Sequence, residues 1–251
     1  MQYSSVKVKI RSSGRICLLS LSWIVYRAVM AAYFLTSYLY ILPYNKETDE
    51  SWLKFCCFLT NWTYTVETIY FQFACITVSI AAYNGKKKPD EDPKKTMPCY
   101  YKLLWIIYTV VLTGACSVTI IFWSTLYDPE VDSVNATNIM THVFNSIFIL
   151  LEVSLVAHPT RLIHFYMPIC YASIYAVFSL LYQVFWPEGF ENSEYIYKIL
   201  DWKYPGEALV TCAGATLCLI TIHTLFVLVH LFKIWLKNRL NKKKQEDTTN
   251  V

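Results

Sequence analysis

Glycine is scarce in this chain, with only 6 in 251 residues, and none of the 6 falls in a Gly-rich phosphate loop or a G-x-S-x-G elbow. H-E-x-x-H is absent too, so P-loop nucleotide binding, α/β-hydrolase chemistry and zincin chemistry have no motif to rest on. The 9 cysteines form no C-x-x-C pair and no zinc-like spacing, and most lie in apolar runs as small hydrophobes. Neither a disulfide framework nor a metal site is indicated, and no cofactor is implied. Internal repeats, heptads and low-complexity tracts are also missing. Charge is sparse at 16% and unevenly placed. The net +4 is a matter of position, since the basic residues collect in alternate connections, a topology signal that argues against nucleic acid as a partner.

What the chain has in quantity is apolar length. Hydrophobic residues make up 55% of it and aromatics 17%, which points to a membrane protein. A spanning helix needs about 20 apolar residues. Six stretches meet that length, near Ile16 to Leu42, Trp52 to Tyr83, Tyr100 to Leu126, Asn138 to Ala157, His164 to Trp186 and Glu207 to Leu236. The first is too long for a signal peptide and reads as a retained span. The expected fold is an all-α, polytopic bundle of six transmembrane helices: residues 1–15 as an N-terminal segment, 16–236 as the membrane domain and 237–251 as a basic, polar tail.

Orientation follows from the basic residues. Lys7, Lys9, Arg11 and Arg15 precede the first span, Lys86 to Lys88, Lys94, Lys95 and Lys102 lie in or beside the second connection, and Lys233 to Lys244 end the last span. By the positive-inside rule these places, and both termini, are cytoplasmic. The opposite connections carry Glu47, Asp49, Glu50, Asp128, Glu130, Asp132, Glu188, Glu191, Glu194 and Asp201, and are expected outside. Asn135-Ala-Thr137 is a glycosylation candidate there, whereas Asn61-Trp-Thr63 falls inside a span, out of reach of the transferase. Cys17 and Cys99, beside basic residues at the cytoplasmic edge, are palmitoylation candidates.

Polar residues at bilayer depth are costly because lipid offers them no hydrogen-bond partner. Thr60 is expected roughly 12 Å below the outer end of the second span and Glu67 roughly 22 Å below it, on the same helix face. In the fourth span His142, Asn145, Ile149 and Glu152 form one stripe. Arg27 is the counterion expected for Glu67 or Glu152, and with His223 these residues form a candidate intramembrane charge network that either fixes helix register or lines a polar pocket. A proton-coupled transporter built on it would be expected to show spans broken by Gly or Pro in paired halves, which are missing. Thr60 and His142 match in depth on two spans of the same direction. A histidine beside a threonine hydroxyl can take its proton and make it a nucleophile, while Asn61 or Asn145 could serve an oxyanion or orient the imidazole.

The segments Tyr26-Arg27, Leu59-Thr60-Asn61-Trp62, His142-x-x-Asn145-Ser146, Pro159-x-Arg161-Leu162-x-His164 and Tyr195-Ile-Tyr-Lys-Ile-Leu-Asp-Trp202 together resemble the rolling stone proteins of invertebrates. That resemblance implies a multipass protein, in the plasma membrane, concerned with myoblast fusion and muscle development through protein partners in cell fusion. More distantly, Leu59-Thr60 and His142 with Ile149-Leu-Leu-Glu152 and Pro159-Thr-Arg161 are similar to the androgen-induced and androgen-dependent proteins. This second likeness implies an intramembrane threonine hydrolase acting on fatty acid esters of hydroxy fatty acids, with Thr60 and His142 as its catalytic pair and membrane lipid as its milieu.

Overall fold

The computed structural model describes residues 14–42, 49–87, 99–130, 134–156, 158–186 and 194–249. Residues 1–13, Lys88, Lys94, Lys95, Glu47, Asp132, Glu188 and Glu191, on which part of the topology expectation rests, lie outside them, as does the Cys17 side chain. Among the described residues every regular element is helical, and six helices are long and apolar enough to cross a membrane: Leu21–Ile41, Leu59–Tyr83, Cys99–Leu126, Ala136–Leu155, Leu162–Phe185 and Pro205–Lys242. The chain is an all-α, multipass bundle.

The third span is its hub. Helix α4 (Cys99–Ile121) packs against α3 (Leu59–Lys87), α6 (Asn145–Leu155), α7 (Tyr166–Phe185) and α8 (Pro205–Thr249). More than half of its apolar window is buried, against a third or less in the other five. The run Thr113-Gly-Ala-Cys-Ser117 explains this, since short side chains let neighbouring backbones come close where lipid supplies no hydrophobic drive. Helix α1 (Gly14–Ile41) lies on α3, where Phe34 stacks on Phe71 with centroids 4.3 Å apart. Outward-facing Leu21, Val25, Val29, Ile69, Ile76, Val177 and Leu217 form the apolar perimeter.

Hydroxyls in the spans are largely answered within their own helices. Thr65 donates to the Asn61 carbonyl, Thr68 to Tyr64, Thr109 to Trp105 and Ser117 to Thr113, each four residues back. This local bond is what makes threonine tolerable at membrane depth.

Three boundaries differ from the hydropathy reading. The second span is not one helix from Trp52: α2 (Asp49–Cys57) stops at Phe58 and α3 starts afresh. The fourth is α5 (Ala136–Ile139), a π-helical turn over Met140–Phe144, and then α6. Helix α8 runs 45 residues, about 68 Å at 1.5 Å per residue and twice the hydrocarbon thickness, so the tail after Leu236 continues the helix to Thr249. Lys233 of α8 bonds the Val153 and Val156 carbonyls at 2.6 and 2.7 Å, placing a cation at the C-terminal end of α6 where the helix dipole favours one.

Asn135 is exposed, and its Oδ1 accepts the Asn138 N–H at 2.8 Å to cap α5. A glycan attaches through Nδ2 and leaves that cap intact. Wild-type protein is therefore expected to show an endoglycosidase-sensitive band shift that Asn135→Gln removes and Asn61→Gln does not; a wild-type band without the shift would place this segment on the unglycosylated side.

Candidate functional site

The break at Phe58 shapes the site. Where α2 ends, its carbonyls are bonded by side chains: Phe55 by Asn61 Nδ2 at 2.8 Å, Cys56 by Trp62 Nε1 at 2.5 Å and Cys57 by the Tyr175 hydroxyl at 2.9 Å. Asn61 and Trp62 thus hold the corner between two helices, which is why so polar a pair lies in an apolar stretch. Just past the corner, the Leu59 N–H has no helical acceptor and donates instead to the Tyr197 hydroxyl at 3.1 Å. That hydroxyl also meets the Thr60 side chain. Burial pushes the Tyr197 phenol above its ordinary value, so it keeps its proton.

Tyr197 reaches this depth because its connection is pinned on both sides. Gln183 of α7 donates to Asp201 at 2.6 Å and accepts the Trp202 N–H at 2.7 Å, and the Trp202 indole donates to Ser179 at 3.0 Å. On α8, Thr211 donates to the Ile199 carbonyl at 2.6 Å. Lys203 pairs with Glu194 at the surface, a contact that raises the Lys203 ammonium above its ordinary value.

Two π-helical turns face the corner. One, Phe122–Leu126, ends the third span, and the other, Met140–Phe144, interrupts the fourth after α5; Phe122 and His142 stack across them at 3.6 Å and 4°. Trp123 Nε1 bonds the His142 carbonyl at 3.1 Å. Each π-turn inserts one residue into the helical register, a device found often at functional sites. The His142 ring is 4% exposed, and its Nδ1 is buried without a hydrogen-bond partner.

Thr60, Asn61 and His142 line one polar cavity of about 670 Å³ at the acidic end of the bundle, together with Thr141, Asn138 and Tyr197. Thr60 and Tyr197 also line a second, apolar cavity of about 140 Å³ between α3, α4, α7 and α8. Asn145 does not line that cavity; its Oδ1 accepts from Thr119 Oγ1 at 3.0 Å and from the Ser146 N–H, within a polar knot that joins α4 to α6. Asn61 has one amide hydrogen committed to Phe55 and keeps the other.

The charge network expected from Arg27, Glu67, Glu152 and His223 resolves into three separate environments. Arg27 pairs with Glu152 at 2.7 Å, while Tyr26 and Tyr70 donate to the same carboxylate at 2.6 and 2.5 Å. Glu67 is fully buried and neither of its oxygens has a hydrogen-bond partner; seven residues put it on the Thr60 face, but the counterion went to α6. His223 Nδ1 meets the Thr113 hydroxyl at 3.3 Å and its Nε2 donates to the Arg161 carbonyl at 3.0 Å, a crosslink from α8 to α4 and to the turn after the fourth span. Trp105 bonds Pro159 in that same turn at 3.0 Å, so the Pro159 to His164 segment is held in place by α4 and α8.

Tyr197 and Phe122 are the residues that sequence reasoning passed over. The aromatic run Tyr195-Ile-Tyr197 in an otherwise polar connection was the available sign of the first. Among the described residues no group of His, Cys, Asp and Glu could hold a metal ion.

The family model described as Protein rolling stone matches residues 1–244. Protein rolling stone of Drosophila melanogaster is similar at 24% identity over 218 residues, covering 84% of this chain and 78% of the relative. No solved structure matches the chain.

Proposed function

Because this chain belongs to the rolling stone family, we propose that it is a plasma-membrane protein of cell fusion, acting in myoblast fusion and muscle development, with both termini cytoplasmic and its acidic connections facing partner proteins outside. Family membership carries this reading. Its test is the fusion index of myoblasts lacking the native protein and supplied with variants. Neutralising Asp128, Glu130 and Glu194 together is expected to abolish fusion, and normal fusion by that variant would reject contact through these connections.

A second reading concerns the chemistry beneath those connections, and the cavity favours it. Thr60 and His142 line one polar chamber, His142 keeps an unpartnered ring nitrogen, and Thr60 also borders apolar space. This supports an intramembrane lipid ester hydrolase. Thr60 Oγ attacks the ester carbonyl as His142 takes its proton. The tetrahedral oxyanion collects donors from the free Asn61 amide hydrogen and the Tyr197 hydroxyl. Collapse breaks the carbon to alkoxide bond, and His142 returns the proton to the departing alcohol. Water then attacks the acyl-threonine, giving its proton to His142; the fatty acid leaves and Thr60 recovers its hydrogen. Detergent-purified protein is expected to bind a fluorophosphonate probe, and Thr60→Ala and His142→Ala are each expected to lower labelling by about 10²-fold or more. Labelling that is absent, or equal in all three proteins, rejects hydrolysis and leaves the contact reading alone.

A further inference from the structure

Thr60, Leu126, Tyr197 and Ile199 line both cavities, so the two spaces adjoin at these four side chains. On one side Asn61, Asn138, Thr141 and His142 stand among Phe58, Phe122 and Ile196; on the other the lining is mainly Leu59, Val118, Ile121, Ala172, Ala176 and Ala215. A change from a mixed, hydrogen-bonding surface to a hydrocarbon one across a shared boundary matches a molecule with the same division. We propose that the site takes a single-chain amphiphile with an uncharged polar end, its hydrocarbon chain in the slot between α7 and α8 and its polar end in the acidic-end chamber. The first carbonyl of such a ligand lies at Thr60. The inference rests on the hydrolase reading for that register alone, and its binding half stands without it.

The slot exists for a physical reason. Ala172 and Ala176 are one turn apart on α7, and Ala215 faces the same space from α8. Short side chains usually let membrane helices close up. Here the connection carrying Ile199 to Trp202 is bonded to Ser179 and Gln183 on α7 and to Thr211 on α8, and this wedge holds the acidic-end segments of the two helices apart. Apolar space of this kind does not hold water, and in a membrane the material at hand to fill it is an acyl chain. At about 140 Å³ the slot is well under the range of roughly 300–1,000 Å³ typical of a whole ligand site, whereas the polar chamber falls inside it. A short stretch of one chain fits that space, and two chains side by side do not. The chamber's charged lining is one Asp128 and one Lys198, so no net charge selects an ionic head, while Asn61, Asn138 and Thr141 present neutral donors and acceptors.

The experiment uses full-length protein in nanodiscs and a monoacylglycerol analogue bearing a diazirine in its chain, with a diacyl phosphatidylcholine carrying the same diazirine as the second probe. After illumination the labelled residues are located by mass spectrometry. The monoacyl probe is expected to label residues 172–176 and 211–216, and Ala176→Trp and Ala215→Phe to lower that labelling about tenfold, as overpacking of a filled site does. Val177→Trp, whose wild-type side chain is 56% exposed on the neighbouring face, is the bulk-matched control and is expected to label as wild type. Should Ala176→Trp elute as aggregate, Ala176→Leu decides by the same comparison at smaller effect. Equal labelling by the diacyl probe, or plugged variants that label like the control, overturns the proposal. Fluorophosphonate reactivity of wild type separates the two readings: slot labelling without reactivity means a lipid-binding site without hydrolysis. Reactivity present with the slot unlabelled means hydrolysis of a ligand whose chain lies elsewhere.

Discussion

Arg27→Met is expected to destabilise the bundle by about 3–5 kcal/mol, read as the shift in an unfolding titration in mixed micelles. Arg27 is 3% exposed and Glu152 is fully buried. Their 2.7 Å contact lies in a region where no water replaces a lost partner. The Arg27 guanidinium also rests on the Trp23 ring at 4.6 Å and near the Tyr26 ring at 5.5 Å, so its own position is fixed from two sides. Without it, the Glu152 carboxylate keeps only the neutral hydroxyls of Tyr26 and Tyr70 and becomes an uncompensated buried charge. Glu152→Leu strands the guanidinium instead and is expected to cost a similar amount. The double variant Arg27→Met with Glu152→Leu removes both charges and is expected to recover most of the loss, so the coupling energy in the cycle comes out large and favourable. A single-variant cost under about 1 kcal/mol, the range of solvent-exposed pairs, would mean that water reaches the contact.

This pair also shows how far a linear reading of the chain goes. Hydropathy found the spans because every backbone polar group in lipid must be bonded within a helix, which forces about 20 apolar residues in a row. Helical periodicity put Glu67 and Thr60 on one face and aligned His142 with Glu152, and these side chains do turn inward. Partner choice was not legible. Arg27 suits either carboxylate by depth, and only the packing of α6 against the core, with Tyr26 and Tyr70 closing on Glu152, decides between them. His223 read as part of the same network because depth carries no azimuth; in the bundle it faces Thr113 and the Arg161 carbonyl. The corner at Phe58 was hidden for a related reason. Asn61 and Trp62 look like polar intrusions into one long helix until their acceptors, the Phe55 and Cys56 carbonyls, are seen to be the end of another. The π-turns around Phe122 and His142 leave no trace in hydropathy, since one inserted residue hardly changes the average of a span-length window.

Glu67 carries the opposite prediction from Arg27 although both are buried and ionisable. Its two carboxyl oxygens are without hydrogen-bond partners, so the folded bundle bears the desolvation cost of the group and gains nothing from it. Glu67→Met keeps the length of the side chain and removes both oxygens; it is expected to raise stability by about 1–3 kcal/mol in the same titration, the cost of an unsatisfied buried polar group. Glu67→Gln leaves two polar atoms in the same place and is expected to change little. Tyr70 and Phe71 pack in the core one turn further on, so the Met variant meets a formed apolar neighbourhood. An unpartnered buried carboxyl that costs stability in this state is free to serve in another, and the Met variant tests this directly. If it is more stable yet fails in the fusion assay, with fluorophosphonate labelling intact, then Glu67 serves a step that neither the outer connections nor the Thr60 chamber performs. If it is less stable than wild type, the carboxyl holds a partner in the native bundle and the assignment of Glu67 as an unpaired group is wrong.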